Sequence, residues 1–207
     1  MKDNHDKETE KYFKKIISSS ERMQSLINDL LNFSRHSTSP SDFKETDLNL
    51  LIKEAIGELE IEIEKTNTKI HLEEMPVVYA IPSLMRQLFY NLLSNAIKFR
   101  KKTVDPVVHI NAERLQASGL GSEIKTGNKK DFFQIAVSDN GIGFDPKHSE
   151  DIFMVFKRLH SYHEFEGTGV GLSICKKIVE KHNGSIIARS KIDQGSTFLI
   201  SLPEKQP

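Results

Sequence analysis

Three short segments carry side chains whose types and spacing could do chemistry. In Asn91-Leu-Leu-Ser-Asn95-Ala-Ile-Lys98-Phe99 the two amides and the lysine stand four and three positions apart, which puts them on one face of a helix. Leu88, Leu92 and Ile97 give the opposite face apolar surface for packing. An amide buried without a partner is costly, so two of them beside a lysine on an otherwise apolar helix point to oxygen ligation. A side-chain carbonyl can coordinate Mg²⁺ while the ammonium offsets phosphate charge. Taken alone, the segment reads equally well as an amphipathic surface helix.

The second segment, Asp139-Asn140-Gly141-Ile142-Gly143-Phe144, follows an alternating strand. A carboxylate at a strand end, with two glycines behind it, sits on a sharply turning backbone. It can accept from an exocyclic amine such as that of adenine. A plain Asp-Asn-Gly turn has the same composition. The third segment is Glu166-Gly167-Thr168-Gly169-Val170-Gly171-Leu172. Its glycines expose backbone N–H groups at the start of a helix, where the dipole favours an anion. No Gly-Lys-Ser/Thr follows, so it is not a Walker loop. Tyr162–Glu166 makes a poor strand, which argues against a dinucleotide fingerprint.

Behind these segments stand the elements that must position them. From about Glu8 to His36 the chain lacks Gly and Pro, and Phe13, Ile16, Ser20, Met23, Ile27, Leu30 and Ser34 form a heptad seam. Ile17, Leu26 and Leu31 widen it, which predicts packing against other helices and self-association. Ser37–Asp42, with Pro40, ends that helix and marks a domain boundary. Residues 1–38 are thus read as a helical segment, 39–44 as a linker and 45–207 as a globular domain. Asp47 caps a predicted helix running to about Lys65, and Pro82 opens another running to about Phe99. Strands are expected near Lys69–Leu72, Val77–Ala80, Val107–Leu115 and Phe132–Ser138, with a long mobile loop at Gln116–Asp131. A short helix is expected near Ser149–Lys157, and Gly171 opens a helix to Lys181, stopped by Asn183-Gly184. Ser185–Ser190 and Ser196–Leu202 close the domain as a hairpin. The class is α+β: one sheet with helices on one face.

Composition narrows the function classes. Among 207 residues, acids and bases balance at 29 each, so no bulk field favours nucleic acid. No apolar run approaches the ~20 residues that span a bilayer, and the N-terminus is polar, so a cytoplasmic protein is expected. Any membrane tether would lie outside this sequence. The one cysteine, Cys175, excludes an intrachain disulfide and reads as helix packing.

In this order, the segments resemble the boxes of the ATP-binding domain of sensor histidine kinases, within the Bergerat-fold superfamily. Asn91–Lys98 resembles the N box, Asp139–Gly143 the first glycine box, and Ile152–Arg158 the F box. Gly167–Gly171 resembles the second glycine box, and Gln194-Gly-Ser-Thr-Phe198 a third signature. The likeness covers roughly Glu45 to Leu202 and implies an α/β sandwich that binds ATP with Mg²⁺. It implies Asn95 as the Mg²⁺ ligand, with Asn91 and Lys98 near the phosphates and Phe99 against adenine. Asp139 would accept from the adenine amine, with Gly141 and Gly143 lining the base pocket. Arg158 would approach the γ-phosphate. Gly167, Thr168, Gly169, Val170, Gly171 and Leu172 would form the turn that cradles phosphate, and Thr197 would complete the pocket. Asn95, Lys98 and Arg158 carry the catalytic roles. Phe153 and Phe156 are expected as core anchors.

Ser20–Arg35 resembles the second helix of the family's dimerisation and phosphotransfer hairpin, which implies a homodimer and a response-regulator receiver domain as partner. The family's phosphoacceptor box is missing: His5-Asp6-Lys7-Glu8 lacks its apolar residue and proline. The chain is therefore expected to lack the phosphoacceptor helix and to bind ATP without autophosphorylating alone. Relatives that hydrolyse ATP as clamps place a glutamate where this chain has Asn91, and an amide cannot serve as a base. That favours the kinase over a clamp, and the intact Asn95, Asp139 and glycine set disfavours a non-catalytic scaffold. Ile81 replaces an acidic cap before Pro82. Arg100-Lys101-Lys102 reads as a solvated helix end, and His160 and His163 as surface residues; His71, His109, His148 and His182 show no pairing.

Overall fold

The computed structural model describes residues 42–115, 131–159, 165 and 167–204, with the single positions Tyr12, Phe13, Ile17 and Ser20. The remainder of the heptad segment and the loop at 116–130 lie outside the described residues. Phe13 and Ile17 are helical and more than half exposed.

Alternating apolar residues build a five-stranded sheet. Its strands are β2 (Lys69–Leu72), β4 (Val107–Leu115), β5 (Phe132–Asp139), β6 (Ser185–Lys191) and β7 (Gly195–Pro203), in the order β2-β4-β5-β7-β6. All pairs are antiparallel except β2 with β4, which is parallel. Val108, Ile110, Ile135, Val137, Phe198 and Ile200 point to one face and are buried there. A second, two-stranded sheet pairs β1 (Lys44–Asp47) with β3 (Val77–Ala80). The expectation of one sheet is corrected on this point. β1 was not foreseen because Lys-Glu-Thr-Asp has no apolar alternation; pairing with β3 alone makes it a strand. Phe43 and Lys44, placed in the linker by sequence, belong to the folded unit: Phe43 packs on Tyr79 and His182 at ring distances of 6.1 and 5.0 Å.

The helices cover one face of the sheet. Helix α1 (Leu48–Glu58) starts at Asp47, whose Oδ1 accepts from Asn49 N at 2.8 Å. It ends at Leu59, where a second helix, α2 (Glu60–Thr66), takes over and stops at Asn67 with φ 52°. A single helix to Lys65 was expected; the break at Leu59 corrects it. α3 (Pro82–Lys98) buries Leu84, Met85, Leu88, Phe89, Leu92, Leu93, Ala96 and Ile97. At about 1.5–3 kcal/mol per fully buried large apolar side chain, this helix is the main hydrophobic contributor among the helices. α1 and α4 (Gly171–Lys181) pack against it. The expected short helix near Ser149–Lys157 is instead a pair of 3₁₀ turns, Pro146–His148 and Asp151–Phe153. Each spans three residues, too short to form an α-helical ladder. No helix among the described residues is long and apolar enough to cross a membrane.

Candidate functional site

β5 ends at Asp139, which pairs with Val108 on one side and Ser196 on the other. Its Oδ1 accepts from Gly141 N at 2.8 Å and from Ser196 N at 3.3 Å. Both bonds fall on one oxygen, so Oδ2 is left without a hydrogen bond among the described residues. Burial pushes this carboxyl above the ordinary carboxylate range, while the two N–H donors and Lys101 pull it back.

The loop after Asp139 is tied on three sides. Ile142 N donates to Phe99 O at 3.0 Å, and Asp193 N donates to Ile142 O at 2.7 Å. Lys101 Nζ reaches Asp193 O at 2.9 Å. Gly143 has φ 61°, and a Cβ there would run into the Lys191 carbonyl, so no other residue fits without moving the β6–β7 turn. Asn140 is structural: its side chain accepts from Val107 N and donates to Asp105 O, each at 2.9 Å.

The other end of the site is the polar edge of α3. Asn91, Asn95 and Lys98 are half-buried between fully buried apolar positions. Asn91 Nδ2 donates to Gly171 O at 3.4 Å, the first residue of α4. Val170, the residue before α4, supplies no side-chain cap, so the first amides of that helix are available to an anion. The Asn95 amide makes no side-chain hydrogen bond among the described residues. Lys98 Nζ lies 4.3 Å from the centroid of the Phe99 ring, and a Cβ on Gly167 would approach that nitrogen to 2.6 Å. Phe165 packs its ring 5.0 Å from that of Phe99, and Arg158 donates to Phe165 O at 2.7 Å. Phe99 joins the two ends: its carbonyl anchors the Asp139 loop, and its ring carries Lys98 and Phe165.

Asn91, Lys98, Phe99, Asp139, Gly141, Gly143, Arg158, Gly167 and Gly171 are thus linked into one constellation, and Gly169 braces it by accepting from Phe156 N at 3.0 Å. Two expectations are corrected, for Thr197 and for Phe156. Thr197 bonds Ser138 at 2.9 Å on the opposite face of the sheet from Asp139, because strand alternation turns it away. Its neighbour Ser196 meets Asp139 instead. Val170 and Leu172 pack their side chains on the core, which leaves the expectation for the backbone of this turn as it stood. Phe156 is no core anchor: it is 59% exposed with φ 64°, whereas Phe153 is buried edge-on against Phe198. Phe165, Ser196 and His182 were not singled out as partners by sequence. Fully buried His182 accepts from Ile81 N at 3.0 Å through Nε2, and its Nδ1 lies 2.7 Å from Ile178 O. Cys175 is also fully buried, and burial pushes its thiol up to about 12.

The Asp139 loop and Lys98 both reach Phe99, through its carbonyl and its ring, and Asn91 bonds the first residue of α4 farther back along the same helix. Residues 80–206 match the family model described as histidine kinase-, DNA gyrase B- and HSP90-like ATPase. The chain belongs to this ATPase family. Residues 1–39 match the His Kinase A (phospho-acceptor) domain, so the pair of domains is that of the C-terminal region of a sensor histidine kinase. Cyanobacterial phytochrome A of a Nostoc species is 41% identical over 87% of this chain, which spans only 22% of that relative's length. The catalytic domain of histidine kinase ThkA, in a nucleotide-free form, aligns at 27% identity with a TM-score of 0.60, covering 78% of this chain and 97% of that one. ThkA in complex with the response regulator protein TrrA aligns at 24% identity with a TM-score of 0.66, over 94% of this chain and 51% of that one. That likeness is one of fold.

Proposed function

We propose that this chain binds ATP with Mg²⁺ and donates the γ-phosphoryl group to a histidine on a dimerisation helix, for relay to a response-regulator aspartate. The observation that carries this is the convergence on Phe99, which couples a carboxylate suited to an amine with a cationic edge suited to phosphates. Asp139 Oδ2 would accept from the adenine amine. Lys98, Arg158 and the first amides of α4 would hold the phosphates, after Arg158 and Lys98 exchange their contacts with Phe165 and Gly167 for phosphate oxygens. In the transfer, the acceptor imidazole nitrogen bonds to the γ-phosphorus as its bond to the β-phosphate bridging oxygen breaks, and ADP leaves. The chain's own work is positioning and charge compensation.

The donor set fits Mg²⁺ held mainly by the nucleotide. Among the described residues no three His, Cys, Asp or Glu side chains cluster as a metal cage. The unbonded Asn95 amide offers one hard oxygen, which suits an ion that keeps phosphate and water ligands. When bound, the ion would neutralise charge on the β- and γ-phosphate oxygens.

The partner side is proposed on the likeness to ThkA and on the match at residues 1–39: a homodimer through residues 1–38 and a receiver domain as phosphoacceptor, in the cytoplasm or tethered to a membrane by other segments. The test mixes this chain with labelled ATP and a histidine-bearing dimerisation helix. Label on histidine is expected. Release of free phosphate without transfer would point to a hydrolytic clamp, against which Asn91 already argues, since an amide cannot activate water. No Mg²⁺-dependent ATP binding would reduce the chain to a scaffold.

A further inference from the structure

Ser190 lies on β6 directly across from Ser196 and is absent from the nucleotide constellation described above. Its hydroxyl is saturated. It donates to Gly195 O at 2.7 Å, accepts from Phe144 N at 2.9 Å, and lies 3.1 Å from Ser196 Oγ. One hydroxyl has a single proton and two lone pairs. With its proton given to Gly195 O, the Ser196 hydroxyl must be the donor in their contact.

The partners are not incidental. Gly195 C=O and Ser196 N–H belong to one peptide plane, and in a trans peptide they point in opposite directions. Ser196 N–H is one of the two donors on Asp139 Oδ1. Holding the oxygen of that plane therefore aims its N–H, and the bond to the carbonyl polarises the amide and strengthens its donation. A Cβ on Gly195 would collide with the Asp139 carbonyl, so only glycine lets β7 approach Asp139 this closely. Phe144 N, the other partner, ends the loop whose Gly141 N supplies the second donor to Asp139 Oδ1. Ser190 thus grips both sources of the bonds that fix the carboxylate, one through a peptide plane and one through a loop.

We infer that Ser190 is a positioning residue for base recognition: it holds Asp139 with Oδ1 occupied and Oδ2 turned toward the amine of an adenine nucleotide. The inference rests on the nucleotide reading proposed above. It separates base discrimination from phosphate binding, because Ser190 touches none of Asn95, Lys98, Arg158 or the start of α4.

The experiment titrates the full chain and its Ser190→Ala variant with Mg²⁺-ATP and with Mg²⁺-ITP, which carries a carbonyl in place of the amine. The wild type is expected to prefer ATP. In the variant, ATP binding weakens about 5- to 10-fold while ITP binding changes less than about 2-fold, so the preference shrinks. In an Asp139→Asn background, Ser190→Ala should leave the ATP-to-ITP ratio where that background sets it. The core is untouched by the substitution, so a melting curve should show a folded variant. Equal weakening of both nucleotides, or an unchanged ratio, would overturn the positioning role while leaving the nucleotide site standing. A wild type that binds neither nucleotide would overturn the nucleotide reading itself, and this inference with it.

Discussion

The two ends of the site are built differently. At the sheet end, Asp139, Gly141, Ile142, Gly143 and Ser196 are locked by backbone bonds to the end of α3 and the β6–β7 turn, and one carboxylate oxygen is left outward. At the other end, Arg158, proposed for phosphate, donates to the Phe165 carbonyl and Lys98 lies beside Gly167, while Phe165 also packs on the Phe99 ring proposed for adenine. On the proposed reading, the hydrogen bonds that fix Asp139 are already in place at the first end, and only Phe165 on the Phe99 ring must give way to a base. The second must exchange internal contacts for ligand contacts, and its apparent affinity is reduced accordingly. On the proposed reading, base recognition and phosphate capture fall to different residues of one scaffold.

The sharpest way to break this comparison is Asp139→Asn. The amide can still accept from Gly141 N and Ser196 N, but its NH₂ would face the adenine amine, donor to donor. ATP affinity should fall about 100-fold, as expected for losing a charge-assisted bond and leaving donors unpaired. Burial raises this carboxyl's pKa in the fold. A raised carboxylate contributes stability at low pH that is gone once pH rises through the folded value, so the charged form is a liability at neutral pH. The variant's melting temperature should thus hold or rise, and calorimetry of binding beside a thermal melt reads both.

Asn95→Ala acts at the other end. It should weaken ATP binding about 10-fold in Mg²⁺ and hardly at all in EDTA, as one lost ion–oxygen contact predicts. Paired titrations with and without the metal decide it.

His182 serves as a control remote from both ends. Burial, opposed by its bond to Ile178 O and aided by nearby Lys181, holds it below the ordinary histidine range. A depressed histidine favours the fold above its unfolded value near pH 6.5, and that advantage fades as pH falls. Denaturant melts from pH 6.5 downward should show the wild type losing stability relative to His182→Ala, with ATP affinity at pH 7.5 the same in both.

The smallest effect is expected from Phe165→Ala. Removing its ring from Phe99 should tighten ATP about 2- to 3-fold, by relieving one aromatic contact that competes with the nucleotide. Weaker binding would mean that Phe165 is a ligand contact and would erase the contrast between the two ends.

Much of this arrangement was legible because it is local. The (i, i+4, i+7) spacing of Asn91, Asn95 and Lys98 fixes their shared helix face, and strand alternation puts Asp139 at a strand end whatever surrounds it. What escaped depends on contacts distant in sequence. Ser196 rather than Thr197 meets Asp139 because of the β5–β7 register, which no local pattern in Gly-Ser-Thr-Phe reveals. His182 bonds Ile81 N, 101 positions away, just ahead of α3, whose first turn has no side-chain cap. Phe156 looked like a core residue from its aromatic type, yet a left-handed backbone turns it to the surface. β1 exists only because β3 is there to pair with it.

The most direct test of the two-ended account follows backbone amide signals by NMR during titration with adenosine and then with a non-hydrolysable Mg²⁺-ATP analogue. Adenosine should shift Gly141, Gly143 and Ser196 alone, and the analogue should in addition move Gly167 through Gly171. If adenosine leaves the Asp139 loop unmoved, or if the analogue shifts only one of the two groups, the two ends do not meet on a single nucleotide.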